Sequence, residues 1–420
     1  MKKFVIPANA RSWVPGANAS DFPIQNLPYC CVDEEGSSIS VRIGDSIVIL
    51  SELQEAGLID ENLPVWDGTE FAFEAPESRY ELRKTLFDLL SQDGDPALKD
   101  NMALRERALV PVSEVTLYVP FFSRQFVDYY SGIHHAGNVG KMFRPDMPPL
   151  LPNYRHIPVA YNGRASSVVE DGIAIVRPNG QTKGANDELP AYGPTQELDF
   201  ELEMGFYTAG GSDMGMPFPI SEAEAHILGV VLLNDWSARD VQRWEYQPLG
   251  PFLAKSFATT VSPYVVSLDA IDPFRVAGIE QDPAVLPYLN DPEPRCYDIE
   301  LEVMLKTPAM AEAQVICRSN AKHLYWSFRQ QLAHQVSNGT PIEPCDLYGT
   351  GTISGPDEGT FGSLLELTWR GSKPISLTSG EERTFLEDGD TLTIRGWCQG
   401  DGYRIGFGEA SGTILPAPPI

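Results

Sequence analysis

The chain has 420 residues, 42% of them hydrophobic and 21% charged, which excludes wholesale disorder and exceeds what one small core needs, so two domains are expected. Its formal net charge is −27, and Lys and Arg gather into no runs; a surface of that sign repels phosphate backbones and anionic bilayers, which argues against nucleic-acid and membrane partners. An anionic substrate stays open, provided local cations or a metal set the field at its site.

Ser38 to Leu50 predicts a hairpin: Ile39, Val41 and Ile43 alternate, Gly44-Asp45 turns, and Ile47 to Leu50 returns. Glu77 to Gln92 predicts a helix with Tyr80, Leu82, Leu86, Leu89 and Leu90 on its apolar face, stopped by Asp93-Gly94-Asp95-Pro96. A second helical pattern runs through Leu98, Met102 and Leu109 to Pro111. Nothing before residue 110 gathers acids, His or Lys in a pattern that suggests a site, so this portion reads as a small structural α+β domain. Val115, Leu117 and Val119 alternate into Pro120, and the domain boundary is placed there, giving units 1–118 and 119–420.

Beyond it the composition shifts towards Gly, Pro, β-branched and aromatic residues, the pattern of a large β-rich domain. Strands are expected at Ala174–Val176, Leu198–Tyr207, Ile227–Leu233, Val261–Leu268, Ile299–Leu305, Leu364–Trp369 and Leu392–Trp397. One helix interrupts them, with Leu324, Phe328 and Leu332 four apart between Ser319-Asn320 and Asn338-Gly339. The six cysteines are scattered without a CxxC pair, as free thiols of a reducing compartment would be. Met1-Lys2-Lys3 precedes only a short apolar patch ending at Pro7, and no apolar run nears the roughly 18 residues that span a bilayer. A cytoplasmic protein is expected.

Chemistry gathers first in Leu232–Thr260, where a buried apolar run releases Asp235, Arg239, Asp240, Gln242, Arg243, Glu245 and Lys255 among Trp236, Trp244 and Tyr246. Glu201 and Glu203, two apart on a strand, project side by side with Asp199 on the same face; they are either a solvated outer face or a pair that needs a cation between them. Asp128 opens a Gly-rich loop, FVDYYSGIHHAGNVGKMFRP, that carries two of the six histidines, His134 and His135. A histidine flanked by glycines and an acid is a general-base candidate. Glu366, between Leu365 and Leu367 in a strand-like run, either lies on an outer face or orients an imidazolium. No GxGxxG after a strand, P-loop, HExxH, zinc-type Cys/His spacing or GxSxG elbow is present. Oxygen-only acids suit a hard cation, Mg²⁺ or Ca²⁺, rather than zinc.

Together, NDWSARDVQRWEYQPLGPFLAKSFATTVSP, DYYSGIHHAGNVGKMFRP, YNGRASSVV, LDFELEMGFY and GTISGPDEGTFGSLLELTWRG make the chain similar to the fumarylacetoacetate hydrolase family. The resemblance implies a mainly β fold: an N-terminal SH3-like barrel domain, then a large C-terminal β-roll domain, assembled as a homodimer. It implies Ca²⁺ or Mg²⁺ held by Asp128, Glu201, Glu203 and Asp235, with Lys255 and Thr259 at positions also assigned to Mg²⁺. His135 matches the catalytic histidine and Glu366 the partner that activates it, while His134 matches no assigned position. Arg239, Gln242 and Lys255 match groups around the reacting carbonyl, and Tyr130, Arg144, Tyr161, Gln242, Tyr246 and Thr352 match substrate-binding positions. The implied activity is hydrolysis of a carbon–carbon bond in 4-fumarylacetoacetate to fumarate and acetoacetate, the last step of tyrosine and phenylalanine breakdown. Acylpyruvate hydrolysis, oxaloacetate decarboxylation and a non-catalytic, metal-stabilised binding role are the alternatives.

Overall fold

The computed structural model describes residues 3–32 and 38–420. Tyr29–Cys31, Ile39–Ile43, Ser46–Ile49 and Leu109–Pro111 form an antiparallel four-stranded sheet in that order. The hairpin expected at Ser38–Leu50 is its centre. Helix Pro76–Leu90 buries Leu82, Leu86, Leu89 and Leu90 against it. The second helical pattern is two short helices, Pro96–Lys99 and Met102–Ala108, because the Asn101 side chain accepts from the Leu104 amide and caps a new start there. Leu109 already belongs to the sheet.

Two larger sheets make up the rest. Five strands run in the order Gln314–Asn320, Glu300–Lys306, Thr391–Gln399, Arg404–Leu415 and Ile175–Val176. Seven run in the order Ala160–Asn162, Phe126–Tyr129, Leu347–Gly349, Leu202–Thr208, Ile227–Asp235, Thr259–Val261 and Val168–Glu170. The seven-stranded sheet is covered on both faces, so Ile227–Asp235 is buried at every position and its sequence shows no alternation. One face packs Val127, Tyr129, Met204, Phe206, Val230, Leu232 and Tyr348 into the main core. The other joins Phe126, Tyr207, Val231, Leu233, Val261 and Leu347 to the apolar residues of the first hundred positions. Backbone bonds between Tyr29 and Val265 run in both directions. The architecture is the expected one, an SH3-like N-terminal unit against a β-roll.

Several expected elements differ. The alternation at Val115–Val119, used only to place a boundary, makes no strand; Tyr118 bridges to Cys31 after a 3₁₀ turn at Val112–Glu114. Leu198–Tyr207 breaks at Phe200–Glu201 into Leu198–Asp199 and Leu202–Thr208. Val261–Leu268 holds the end of one strand, bridges at Val265 and Val266, and the start of helix Leu268–Ile271. The helix expected from Leu324 begins at Phe328, where Ser327 and Gln330 form a reciprocal cap. Asn320 caps a separate 3₁₀ turn, Ala321–His323. The Gly-rich stretch after Asp128 is not a loop but a strand, Phe126–Tyr129, followed by helix Ile133–Phe143. Leu364–Leu367 is one turn of helix rather than a strand.

Candidate active site

The acids converge because one face of the seven-stranded sheet changes character along its strands. Opposed residues of an antiparallel pair share a face, and so do residues two apart. Glu203 stands opposite Leu233, so Glu203 and Asp235, two beyond Leu233, lie on that face; Asp128 lies opposite Gly349, which is itself opposite Gly205. Phe126 gives way to Asp128, Leu233 to Asp235 and Val261 to Thr259 within two residues, an apolar core becoming an acidic floor. One carboxylate oxygen from each of Asp128, Glu201, Glu203 and Asp235 lies within 4.8 Å of the others, and all four residues are buried. Asp199, expected on the same face, turns away: it accepts from the Leu364 and Leu365 amides at 2.7 and 3.0 Å and from Arg239 Nε at 2.7 Å. The interruption of the strand at Phe200–Glu201 separates it from the cluster.

Gly349 leaves room for two of these acids. A Cβ at this position would stand 2.7 Å from Asp128 Oδ1 and 3.0 Å from Glu203 Oε2, so that those carboxylates would have to shift to admit it. Gly351, at φ +78°, donates its amide to Glu203 Oε2 at 2.8 Å.

The cluster's electrostatics ask for a cation. Burial first, and then the neighbouring carboxylates, push Asp128 and Glu203 well above the ordinary carboxylate range. Asp128 Oδ1 and Glu203 Oε1 are buried without a hydrogen-bond donor. Burial acts the same way on Glu201, yet Lys255 and Arg239 outweigh it and hold that carboxyl low. Lys255 Nζ lies 2.6 Å from Glu201 and 2.8 Å from Asp235. Burial disfavours the ammonium, but those two acids raise its pKa above the usual lysine value. Two orphaned carboxylate oxygens in a dry, four-acid cradle fit a hard divalent cation. Lys255 and Thr259 both bond Asp235, Thr259 Oγ1 at 3.0 Å, and a protonated ammonium has no lone pair to offer a metal.

Beside this floor, His135 Nδ1 lies 2.6 Å from Glu366 Oε2 and His135 Nε2 lies 3.9 Å from Glu201. His135 sits in the first turn of helix Ile133–Phe143. Glu366 sits in a helical turn capped by Ser363 and is buried against the His135 ring, not exposed. Asn138 Nδ2 donates to its Oε1 at 2.9 Å, and the Ser354 and Ser363 hydroxyls donate to Oε2 at 2.8 and 2.9 Å. Burial opposes the charge on Glu366, but His135 and then these donors hold its pKa below the ordinary value. Tyr130 meets His135 edge-on at 5.4 Å. Arg239 Nη1 lies 2.8 Å from Glu201 and 3.1 Å from Gln242 Oε1, leaving Nη2 without a partner. Tyr161 donates to Asp235 at 2.8 Å. Thr352 Oγ1 and Arg144 Nε are buried and unpartnered. Tyr246 is half-buried, with Phe143 at 6.4 Å.

Three charges of the Leu232–Thr260 stretch do local structural work. Asp240 accepts from the Gln196 amide, Arg243 pairs with Glu197, and Glu245 accepts from the Ala254 amide. Sequence reasoning passed over Asn138, Ser354 and Ser363. The Ser-x-x-Glu spacing of Ser363 and Glu366 is a helix-start signal that marks both the turn and the contact. Nothing local marks Asn138, Ser354 or Gly349, whose partners are distant in sequence.

Comparison with known proteins supplies the context. Residues 25–120 match the family model described as "Fumarylacetoacetase N-terminal", and residues 125–414 that described as "Fumarylacetoacetate (FAA) hydrolase C-terminal". The chain is 48% identical to the fumarylacetoacetases of Rattus norvegicus and Homo sapiens, over 97% of its length and 99% of theirs. It is 46% identical to that of Arabidopsis thaliana with the same coverage. A solved maleylpyruvate hydrolase from Sphingobium, in complex with manganese(II) and pyruvate, covers 93% of this chain and 100% of its own at 14% identity and a TM-score of 0.50, a likeness of fold. This chain belongs to the fumarylacetoacetate hydrolase family.

Proposed function

We propose that the protein hydrolyses the carbon–carbon bond of a β-diketone, 4-fumarylacetoacetate plus water giving fumarate and acetoacetate, and so completes tyrosine and phenylalanine breakdown. The observation that carries this reading is the His135–Glu366 pair set against the four-carboxylate cradle, with His135 and the partly unpartnered Arg239 guanidinium both beside Glu201.

Asp128, Glu201, Glu203 and Asp235 would hold the divalent ion, Ca²⁺ or Mg²⁺, which supplies Lewis-acid polarisation of the dione. Lys255 and Thr259 serve that site by orienting Asp235. His135 takes a proton from water through Nε2, since Nδ1 faces Glu366, whose charge stabilises the resulting imidazolium. The attacked carbonyl becomes an alkoxide. Arg239 Nη2 and the Gln242 amide, turned outward because its oxygen accepts from Arg239, donate to it; one such donor is worth about 3 kcal/mol. Lys255, kept protonated by Asp235 and Glu201, delivers the proton that the departing carbanion needs. Tyr130, Arg144, Tyr161, Tyr246 and Thr352 hold the substrate, Arg144 by its charge.

A homodimer working in the cytoplasm belongs to the same reading. Its six cysteines are buried, which suits a reducing compartment, and no helix among the described residues is long and apolar enough to cross a membrane. Size-exclusion chromatography with light scattering tests the dimer. The activity is tested by following dione absorbance and product ratio, with and without EDTA, beside an acylpyruvate and oxaloacetate. Equimolar fumarate and acetoacetate, lost on chelation and restored by Ca²⁺ or Mg²⁺, is the expected result. A higher kcat/KM for either alternative substrate would overturn the assignment.

A further inference from the structure

Away from the active site, a cavity of about 40 Å³ lies where helix Pro76–Leu90 meets strand Ile227–Asp235 and the Ser267–Asp269 turn. Two arginines line it, Arg79 at 9% exposure and Arg83 at 4%. Arg79 donates to the Glu74 and Ala225 carbonyls, and Arg83 to those of Phe4, Asn26 and Gln25. These contacts satisfy N–H groups but leave both charges unneutralised. Among the described residues, neither guanidinium has a carboxylate within 4 Å; Asp269, on the same wall, accepts from the Phe4 amide. Burial lowers both arginines' pKa values, and Asp269, like Glu74 and Glu77 near Arg79, offsets this only in part. Buried charge without a counter-charge is costly, and proteins rarely leave it so.

A third group faces the same space. Ser267 occupies the N-cap position of helix Leu268–Ile271, yet its hydroxyl caps nothing and is buried without a partner. Tyr29 and Tyr80 complete the wall. The cavity exceeds what one water needs and is small for a phosphate ester. Among the lining residues two cations face one carboxylate, a single positive charge in excess.

We propose that this cavity binds a small monovalent anion of chloride size, held by Arg79, Arg83 and the Ser267 hydroxyl, which ties the N-terminal helix to the large domain. The bound ion supplies the missing counter-charge, and charge-assisted bonds from two guanidinium groups supply its selectivity for anions.

Bromide is the probe. Crystals of the full-length protein soaked in sodium bromide are expected to show an anomalous peak in this cavity, nearest to the Arg79 and Arg83 nitrogens; no peak there overturns the proposal. In solution, bromide exchanged for gluconate at constant ionic strength is expected to raise Tm saturably, by roughly 2 °C. Arg83→Gln should abolish that response. Should this variant not fold, Ser267→Ala takes its place, weakening apparent bromide affinity about 3- to 10-fold by loss of one hydrogen bond. A wild-type Tm indifferent to the exchange, or a Ser267→Ala response equal to wild type, overturns the proposal even if the crystal shows a peak.

Discussion

Glu366 receives the His135 ring nitrogen and three side-chain donors, from Asn138, Ser354 and Ser363. A buried carboxylate with that many donors stays ionised, and in the proposed mechanism it fixes one tautomer and one orientation of His135. Asn138→Ala is expected to lower kcat about 10-fold with KM little changed, because the group acts through Glu366 and not on substrate. Steady-state kinetics at saturating metal checks this; a rise in KM at constant kcat would place Asn138 against the substrate instead. Gln242→Glu exchanges an outward donor for a charge and should cut kcat/KM by about 10²-fold or more. An unaltered value would remove Gln242 from the oxyanion's surroundings.

At the scale of elements, the metal cradle depends on the narrow strand Leu347–Gly349 between the strands that carry Asp128 and Glu203. Gly349→Ala is expected to preserve the fold and weaken Ca²⁺ binding at least about 10-fold in titration calorimetry, since its methyl would enter the space of both carboxylates. Unchanged affinity would show that the acids can shift at no cost. The same scale separates what could be read in the sequence from what could not. Fully apolar runs such as Ile227–Leu233 announce buried strands, and the Asp128, Glu201, Glu203 and Asp235 set was recognisable from its motifs. Leu364–Trp369 misled because a short run of Leu, Glu and Trp fits either period, and Ser363 as N-cap decided for helix. Glycines in 132–140 suggested a loop, yet helix Ile133–Phe143 admits them: Gly140 faces the Pro149 carbonyl, where a Cβ would lie 1.9 Å away. Asp199 shares parity with Glu201 only while the strand continues, and the strand is interrupted between them. Long-range partners such as Asn138 with Glu366 leave no local trace.

For the molecule as a whole, stability should carry a pH signature away from the site. Asp346 is buried, has one unpartnered oxygen, and burial pushes its pKa up to about 6. Its folded-state pKa thus exceeds the unfolded one, so the protonated form is favoured by folding and stability is lost as pH rises from about 4 through 6. Asp346→Asn removes that loss: relative to wild type, its Tm should climb over this range and level off above it, by up to roughly 2–3 kcal/mol in stability. A difference independent of pH would contradict that sign. The net charge of −27 raises no barrier to an anionic dione if Arg239, Lys255, Arg144 and a divalent ion set the field at the site. The proposed chemistry rests above all on His135, activated by Glu366, taking the proton from water. The decisive experiment is kcat/KM for 4-fumarylacetoacetate in His135→Ala, with Ca²⁺ affinity measured alongside. A fall of about 10²- to 10⁴-fold with metal binding retained is expected; undiminished turnover would contradict that role.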